Sequence, residues 1–183
     1  QLSFGNWKGL FSLRREMYED VVPQNNNTLT SEQNTWLPRL GLVYETDFNT
    51  NFYGSYATGF QPVDANRNVP EFGGPFDPEK SRLYEVGAKG TFFDKRLITT
   101  LAIYHIQKRN VLVNANDPDN AQLLEQRGEQ QSQGVEVEMN GRINKNLSVS
   151  LNYAYNINEI TASDNPEQVG RIAENAPRHM GGL

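Results

Sequence analysis

Residues 146–158 alternate between apolar and polar side chains with a period of two. Their sequence is NLSVSLNYAYNIN, in which every second residue from Leu147 to Ile157 is apolar or aromatic and the residues between are Ser, Asn or Ala. This alternation predicts a β-strand with one apolar face and one polar face. At about 3.3 Å per residue the segment would extend over roughly 40 Å, whereas most strands have about 5–6 residues. The sequence therefore predicts an unusually long strand whose apolar face meets a deep apolar medium.

Similar patterns recur along the chain and predict an all-β fold. Residues 97–107 are apolar on both faces, and the other segments that alternate or have strand-like composition are 7–18, 37–45, 51–60, 84–92 and 134–143. No stretch of useful length has the period of a helix. We therefore expect an antiparallel chain of about eight strands.

The connections between these segments alternate between short and long. The short ones, at 46–51, 92–96 and 142–146, contain Asp or Asn, which tolerate the left-handed backbone of tight turns. The long, polar ones cover about 19–35, 60–79, 109–131 and 158–177. Regular alternation of this kind predicts an up-and-down meander with tight turns at one end and long loops at the other.

The composition is lean for a compact soluble core, and the alternation together with the short and long connections favours a membrane β-barrel. Mean hydropathy is -0.67 and only 37% of residues are hydrophobic. The chain has no apolar run of about 18 residues, which excludes a transmembrane helix, but tilted strands cross a bilayer with only about 9–11 residues. The apolar face would then meet lipid, Lys89 and Arg142 would lie on a wet interior face, and Tyr153 and Tyr155 would belong to an aromatic girdle near the long loops. A soluble β-sandwich stays an alternative, because its strands also alternate.

Charge and residue chemistry give no sign of an enzyme. The net charge of -5 and the absence of a dense basic run argue against a nucleic-acid partner, and the absence of cysteine excludes disulfides and thiolate metal sites. His105 lies in an apolar strand, and a structural role is expected for it, whereas a capping or interfacial role is expected for His179. Asp117 and Asp119 lack the Gly and Glu spacing of a calcium loop. We expect no catalytic residue and no bound metal.

Two motifs carry a specific resemblance to a known family. They are PEKSRLYEVGAKG (78–90) and SQGVEVE (132–138), and the other matching segments are LPRLGLVYETD (37–47), NFYGSYATGFQPV (51–63) and NAPRHMGGL (175–183). From about Trp36 onward the chain resembles the barrel of TonB-dependent siderophore receptors. The resemblance implies that residues 1–183 form part of a 22-stranded barrel domain. The plug domain and the closing C-terminal strands of that barrel would be missing from this part.

The resemblance also implies a function, a location and partners. Such a receptor lies in the outer membrane of a Gram-negative bacterium, binds a ferric siderophore and takes it up with energy from the TonB complex. Iron arrives inside the ligand, so no cofactor is expected, and the partners are the ferric siderophore, outer-membrane lipid and, through the missing N-terminal region, TonB. Another cargo, such as cobalamin or a glycan, and a passive pore remain alternatives.

The interior face offers possible plug contacts. Gly87 and Gly134 would leave room there for a plug or for close backbone approach. The charged residues of the same face would form interior ion pairs, plug contacts or a plain wet wall; they are Glu85, Glu136, Glu138, Lys89 and Arg142.

Ligand contacts are expected in the long loops and at the outer ends of the strands. A ferric chelate is bulky, often aromatic and charged, so aromatic, amide and guanidinium side chains suit it. The alternative for each is a role in a girdle or in loop packing. The candidates are Tyr56, Phe60, Gln61, Arg109, Asn110, Arg127 and Gln130.

Overall fold

The computed structural model describes residues 2–24, 27–163, 165–173 and 176–183 and forms one antiparallel sheet. Its nine strands pair in chain order, each with its sequence neighbours. They are β1 (Leu2–Phe4), β2 (Trp7–Gln24), β3 (Asn27–Glu45), β4 (Thr50–Gln61), β5 (Glu79–Phe92), β6 (Leu97–Asn114), β7 (Leu124–Arg142), β8 (Ser148–Ala162) and β9 (His179–Gly182). The predicted all-β meander is confirmed.

Two of the predicted long connections are wrong. Residues 19–35 lie mostly in β2 and β3, which pair from Trp7↔Tyr44 up to Gln24↔Asn27. Residues 109–131 lie mostly in β6 and β7, so the loop between these strands is confined to 115–123. The extensions mix polar and apolar residues without strict alternation, as in EDVVPQ (19–24) and RNVLVN (109–114). The period-two signal therefore disappears there although backbone pairing continues. The long connections between β4 and β5 and between β8 and β9 are confirmed.

The longer connections, and also the two-residue connection between β2 and β3, lie at one end of the sheet, called here the loop end. Four short connections lie at the opposite end, called the turn end. They comprise Gly5–Asn6 and residues 46–49, 93–96 and 143–147. Positive φ angles at Asn49 (55°) and Asp94 (54°) show why Asp and Asn are found there. The three predicted short connections are confirmed.

One face of the sheet carries a continuous apolar band. Cross-strand pairing aligns Leu42 with Gly54, Val86, Ile103, Val135 and Tyr155 in one row. Leu42, Val86 and Ile103 remain 49%, 58% and 55% exposed, so no part of the described chain covers this face. Tyr153 and Tyr155 lie on it in the middle of β8, and Tyr155 pairs with His179, where the long β8–β9 connection ends. Their place in an aromatic girdle stays a prediction.

On the opposite, polar face, tyrosine rings occupy the space above two glycines. Tyr53 pairs with Gly87, and a Cβ on Gly87 would come within 2.6 Å of the Tyr53 ring. Tyr104 pairs with Gly134, where a Cβ would come within 2.7 Å of the Tyr104 hydroxyl. Of the two alternatives predicted for these glycines, close backbone approach is confirmed, since a Cβ would meet the Leu101 carbonyl oxygen at Gly87 and the Tyr155 carbonyl oxygen at Gly134. Neighbouring rings fill the room considered for a plug.

Few apolar side chains are buried. They are Leu37, Val63, Ala65, Phe76, Ala102 and Ile160. Half of them belong to the β4–β5 connection, so the best-packed region lies at the loop end. No helix in the described ranges is long and apolar enough to cross a membrane.

Candidate functional site

The β4–β5 connection, residues 62–78, folds back over the polar face at the loop end; it is called here the strap. Its buried residues Val63, Ala65 and Phe76 hold it against the sheet. A single-turn 3-10 helix, Pro70–Phe72, ends at Gly73 with a φ of 96°. The strap is thus an ordered segment above the sheet.

One half of the strap is anchored to the β2–β3 hairpin. The Ser31 hydroxyl donates to the Val63 carbonyl at 2.9 Å, and the Ala65 amide donates to Asp20 Oδ2 at 2.8 Å. The Tyr18 hydroxyl donates to Asp64 Oδ1 at 2.8 Å. This hydrogen bond is the main cause that raises the pKa of Tyr18 from 10.0 to about 12. The loop end of the β2–β3 hairpin therefore holds this half of the strap in place.

The other half of the strap is anchored to β6 and β7. The Asp77 amide donates to Gln126 Oε1 at 3.1 Å, and Asn110 Nδ2 donates to the Pro78 carbonyl at 3.1 Å. A Cβ on Gly73 would lie 2.7 Å from the Leu124 carbonyl, so the two backbones meet there closely. The strap consequently spans the loop ends of β4 and β5 and joins the two long hairpins.

A row of polar side chains crosses the polar face beside the strap. Gln61 pairs with Glu79, and Lys108 pairs with Gln130. Lys108 Nζ lies 2.9 Å from Glu79 Oε1, which links the two pairs. Two amides, a carboxylate and an ammonium group in one row can donate and accept hydrogen bonds to a polar, charged ligand. The structure thus places the predicted residues Gln61 and Gln130 on the same face, with β5 and β6 between them, and Asn110 at the strap.

Other predicted contact residues lie on the opposite face. Tyr56 packs against Tyr84 with ring centroids 5.1 Å apart, Phe60 pairs with Lys80, and Arg109 pairs with Glu129. Pairing places all of these side chains on the face of the apolar band. Their contact with a ligand stays a prediction, and the structure separates them from Gln61 and Gln130.

Arg127 pairs with Val111 along the backbone, but its side chain lies outside the described residues. Its predicted contact with a ligand also stays a prediction.

The Glu129 carboxylate accepts several hydrogen bonds on the face of the apolar band. Arg109 Nε donates to its Oε2 at 2.9 Å, while Gln107 and Thr161 donate to its Oε1 at 2.8 and 3.0 Å. Burial works to raise the pKa of Glu129, but these hydrogen bonds outweigh it and hold the pKa below its ordinary value. Arg109 is therefore already engaged by a charged partner.

Three carboxylates line a concave part of the polar face. Glu85, Glu136 and Glu138 surround a cavity of about 380 Å³ together with Tyr53. Within the described ranges none of them lies within ion-pair distance of Lys89 or Arg142, so the interior ion pairs considered from the sequence do not form. This acidic surface remains available to a partner.

The histidines have aromatic neighbours. The His105 ring lies on the face of the apolar band, 6.5 Å from Tyr84 between centroids. His179 begins β9, and its Nδ1 lies 2.9 Å from the Tyr153 hydroxyl. These contacts agree with a structural role for both.

The acidic loop forms a turn. Asp117 Oδ1 accepts from the amides of Asp119 and Asn120, at 2.8 and 2.9 Å. In the part of the chain that the structure describes, no three His, Asp or Glu side chains are grouped to hold a metal ion.

Sequence reasoning missed the residues of the strap and the residues of β2 and β3 that anchor it. Asp20, Ser31 and Asp64 fall in segments predicted to be loops, and Tyr18 is the last residue of a predicted strand. The feature that relates them is the pairing of β2 with β3, which a local pattern in polar residues does not reveal.

Comparison with known proteins agrees with the architecture. The family described as "TonB dependent receptor-like, beta-barrel" matches residues 1–183. The metal-pseudopaline receptor CntO of Pseudomonas aeruginosa is 33% identical over 192 residues, which covers 100% of this chain and 26% of that receptor. The ferrichrome outer membrane transporter/phage receptor of Escherichia coli K12 is 31% identical over 152 residues, which covers 83% of this chain and 19% of the transporter.

A solved structure shares the fold. The unliganded ferric citrate transporter FecA superposes with a TM-score of 0.75 at 21% identity, over 98% of this chain and 27% of the transporter. The chain spans about a quarter of the length of the pseudopaline receptor and about a fifth of that of the ferrichrome transporter. These relatives are transport receptors and not enzymes, in agreement with the sequence. The chain belongs to the TonB-dependent receptor β-barrel family.

Proposed function

We propose that this chain is part of an outer-membrane receptor that binds a ferric siderophore for uptake energised by TonB. The observation that carries the proposal is the row of Gln61, Glu79, Lys108 and Gln130 beside an ordered strap, on the polar face of a sheet from this family. Iron would enter within the ligand, so the protein needs no iron site of its own. The names of the relatives, which include receptors for ferric pyoverdines, support this class of cargo.

The two faces support an orientation. The apolar band would lie against lipid, and the polar face against the wet interior of a Gram-negative outer-membrane barrel. The loop end would lie outside the cell and the turn end in the periplasm. TonB would act through another part of the whole receptor.

Two regions of the polar face would have different partners. The ferric chelate would contact Gln61, Asn110 and Gln130 near the strap. The acidic surface formed by Glu85, Glu136 and Glu138 would face a basic segment of the plug. Three carboxylates without a cationic partner in the sheet would attract positively charged side chains of the plug.

Equilibrium binding to the full-length receptor in detergent tests this proposal. The panel comprises ferric siderophores, their iron-free forms, other metal chelates, cobalamin and an oligosaccharide. We expect saturable binding of a ferric siderophore, and Gln61→Ala/Gln130→Ala should weaken it about tenfold or more because two hydrogen bonds to a charged ligand are lost.

A matched control removes two amides from the other face of β7. Gln131→Ala/Gln133→Ala should leave affinity unchanged, since these residues pair with Gln107 and His105 on the face of the apolar band. Equal losses in both double variants would overturn the proposed contacts. Saturable binding of only another panel member would change the cargo, and an absence of saturable binding would favour a passive pore.

A further inference from the structure

The negative charge of the chain is concentrated at the loop end. Beyond the apolar band, this end comprises residues 12–39, 57–83, 106–132 and 158–178. Among the described side chains it holds fourteen acidic and ten basic residues, whereas the rest of the chain holds six of each. A ligand that approaches from the loop end therefore meets an excess of carboxylates.

The strand cations of the loop end lie mostly on the face of the apolar band, away from the strap. Cross-strand pairing with Trp36, Phe60, Thr58 and Glu129 places four of them there, namely Arg15, Lys80, Arg82 and Arg109.

On the polar face, carboxylates neutralise two of the remaining cations. Lys108 Nζ lies 2.9 Å from Glu79 Oε1, and Arg14 forms an ion pair with Glu16. Within the described ranges Arg39 has no carboxylate at ion-pair distance. The polar face thus presents little positive charge beside the row of Gln61 and Gln130.

The strap adds carboxylates over the same face. It contains Asp64, Glu71 and Asp77 but only one basic residue, Arg67. In the part of the chain that the structure describes, no cation lies within ion-pair distance of these three carboxylates. The surface that covers the polar row therefore carries a net negative charge.

The Tyr18 hydroxyl responds to this negative charge between the strap and β2. Its hydrogen bond to Asp64 is the main cause that raises the Tyr18 pKa to about 12, and desolvation and the charges of Asp64 and Asp20 act in the same direction. These charges disfavour the tyrosinate anion. The same field disfavours an anionic ligand beside the strap and favours a cationic one.

We infer that the cargo of the proposed receptor is a ferric chelate of net positive charge and that anionic chelates bind weakly. Three singly charged hydroxamate groups neutralise ferric iron, so a protonated amine on such a chelate makes it cationic. Three doubly charged catecholate groups instead leave the complex strongly anionic. Gln61 and Gln130 donate hydrogen bonds to the oxygen atoms of the chelate, while the carboxylates of the strap attract its ammonium group. The inference rests on the proposed siderophore-receptor function and adds the charge class of the ligand.

Equilibrium binding to the full-length receptor in detergent tests the inference with chelates that differ in charge. One linear ferric trihydroxamate is prepared with a free terminal amine, with that amine acetylated and with it succinylated, and a ferric tris-catecholate is the fourth probe. Affinity should fall in this order, with at least about a tenfold difference between the free amine and the succinylated form at low ionic strength. The difference should narrow in about 0.5 M salt, because salt screens exposed charges.

A variant of the strap identifies the source of the preference. Asp64→Asn/Asp77→Asn should reduce the tenfold difference to about threefold or less, since it removes two negative charges. An amide oxygen at position 64 can still accept the Tyr18 hydrogen bond, and the Asp77 contact with Gln126 uses the main-chain amide. The matched control, Glu19→Gln/Glu32→Gln, removes two charges from the opposite face at the same end, where these residues pair, and should keep the full preference.

The possible results separate this inference from the proposed function. Equal affinity for the three trihydroxamates, or tighter binding of the succinylated form or of the tris-catecholate, would overturn the inference and leave uptake of a ferric siderophore standing. A strap variant that keeps the full preference, or a control that loses it equally, would also overturn the inference alone. An absence of saturable binding by all four ferric chelates would contradict the proposed function, and the inference with it.

Discussion

At the scale of single residues, glycine and tyrosine act as pairs across the strands of the polar face. The sequence places Gly87 and Gly134 on that face through simple alternation. It does not show that Tyr53 and Tyr104 lie over them, because this depends on the register between strands. A local pattern determines which face a residue is on, and only pairing determines its neighbour.

Gly134→Ala should destabilise the receptor. The new Cβ would clash with the Tyr155 carbonyl oxygen, so backbone or ring must move, at a cost of about 1–3 kcal/mol. Gly9→Ala is the matched control, since a Cβ there meets nothing within 4 Å. Thermal unfolding of both full-length variants in detergent checks this, and equal midpoints would contradict the packing described for Gly134.

The hydrogen bond between Tyr18 and Asp64 predicts a pH-dependent strap. Because the pKa of Tyr18 is raised to about 12, this contact contributes stability fully below the ordinary value of 10.0 and loses it as pH rises through about 12. Asp64→Asn should lower the Tyr18 pKa toward 10.0. Tyrosinate absorbance, with Tyr18→Phe as the reference for subtraction, measures the shift; an unchanged pKa would show that Asp64 is not the cause.

At the scale of elements, the apolar band was predictable and the strand ends were not. Between the turn end and about Leu40, Tyr84 and Val135, alternation marks the strands because one face is apolar. Beyond that level water would wet both faces, so REMYEDVVPQ and EQQSQ carry no periodic signal although they are strand. Hydrogen bonding of the backbone maintains these extensions, and sequence patterns report only side-chain environments.

Val86→Lys should block assembly in the outer membrane. Val86 is 58% exposed in the apolar band, where a lysine facing lipid is unfavourable, by about 2–4 kcal/mol at the bilayer midplane and by less toward the interface. Ser55→Lys adds the same charge on the polar face, opposite Glu85, and should assemble normally. The amount of folded full-length receptor in isolated outer membranes checks the pair, and normal assembly of the Val86 variant would reverse the assignment of the faces.

At the scale of the whole molecule, strand order followed from the sequence while the strap did not. Short turns require neighbouring strands to pair, which leads to a meander. The path of residues 62–78 depends on contacts with Asp20, Ser31 and Gln126, which are distant in sequence. The open edges at β1 and β9 are consistent with a chain that spans about a quarter of a longer relative, whose other strands would cover them.

Uptake of a radiolabelled ferric siderophore by cells that carry the full-length receptor tests the proposed function most directly, with and without functional TonB. The account predicts saturable uptake that requires TonB and that falls in the Gln61→Ala/Gln130→Ala variant. Uptake that is unsaturable and equal in the absence of TonB, from a receptor shown to be in the outer membrane, would contradict it.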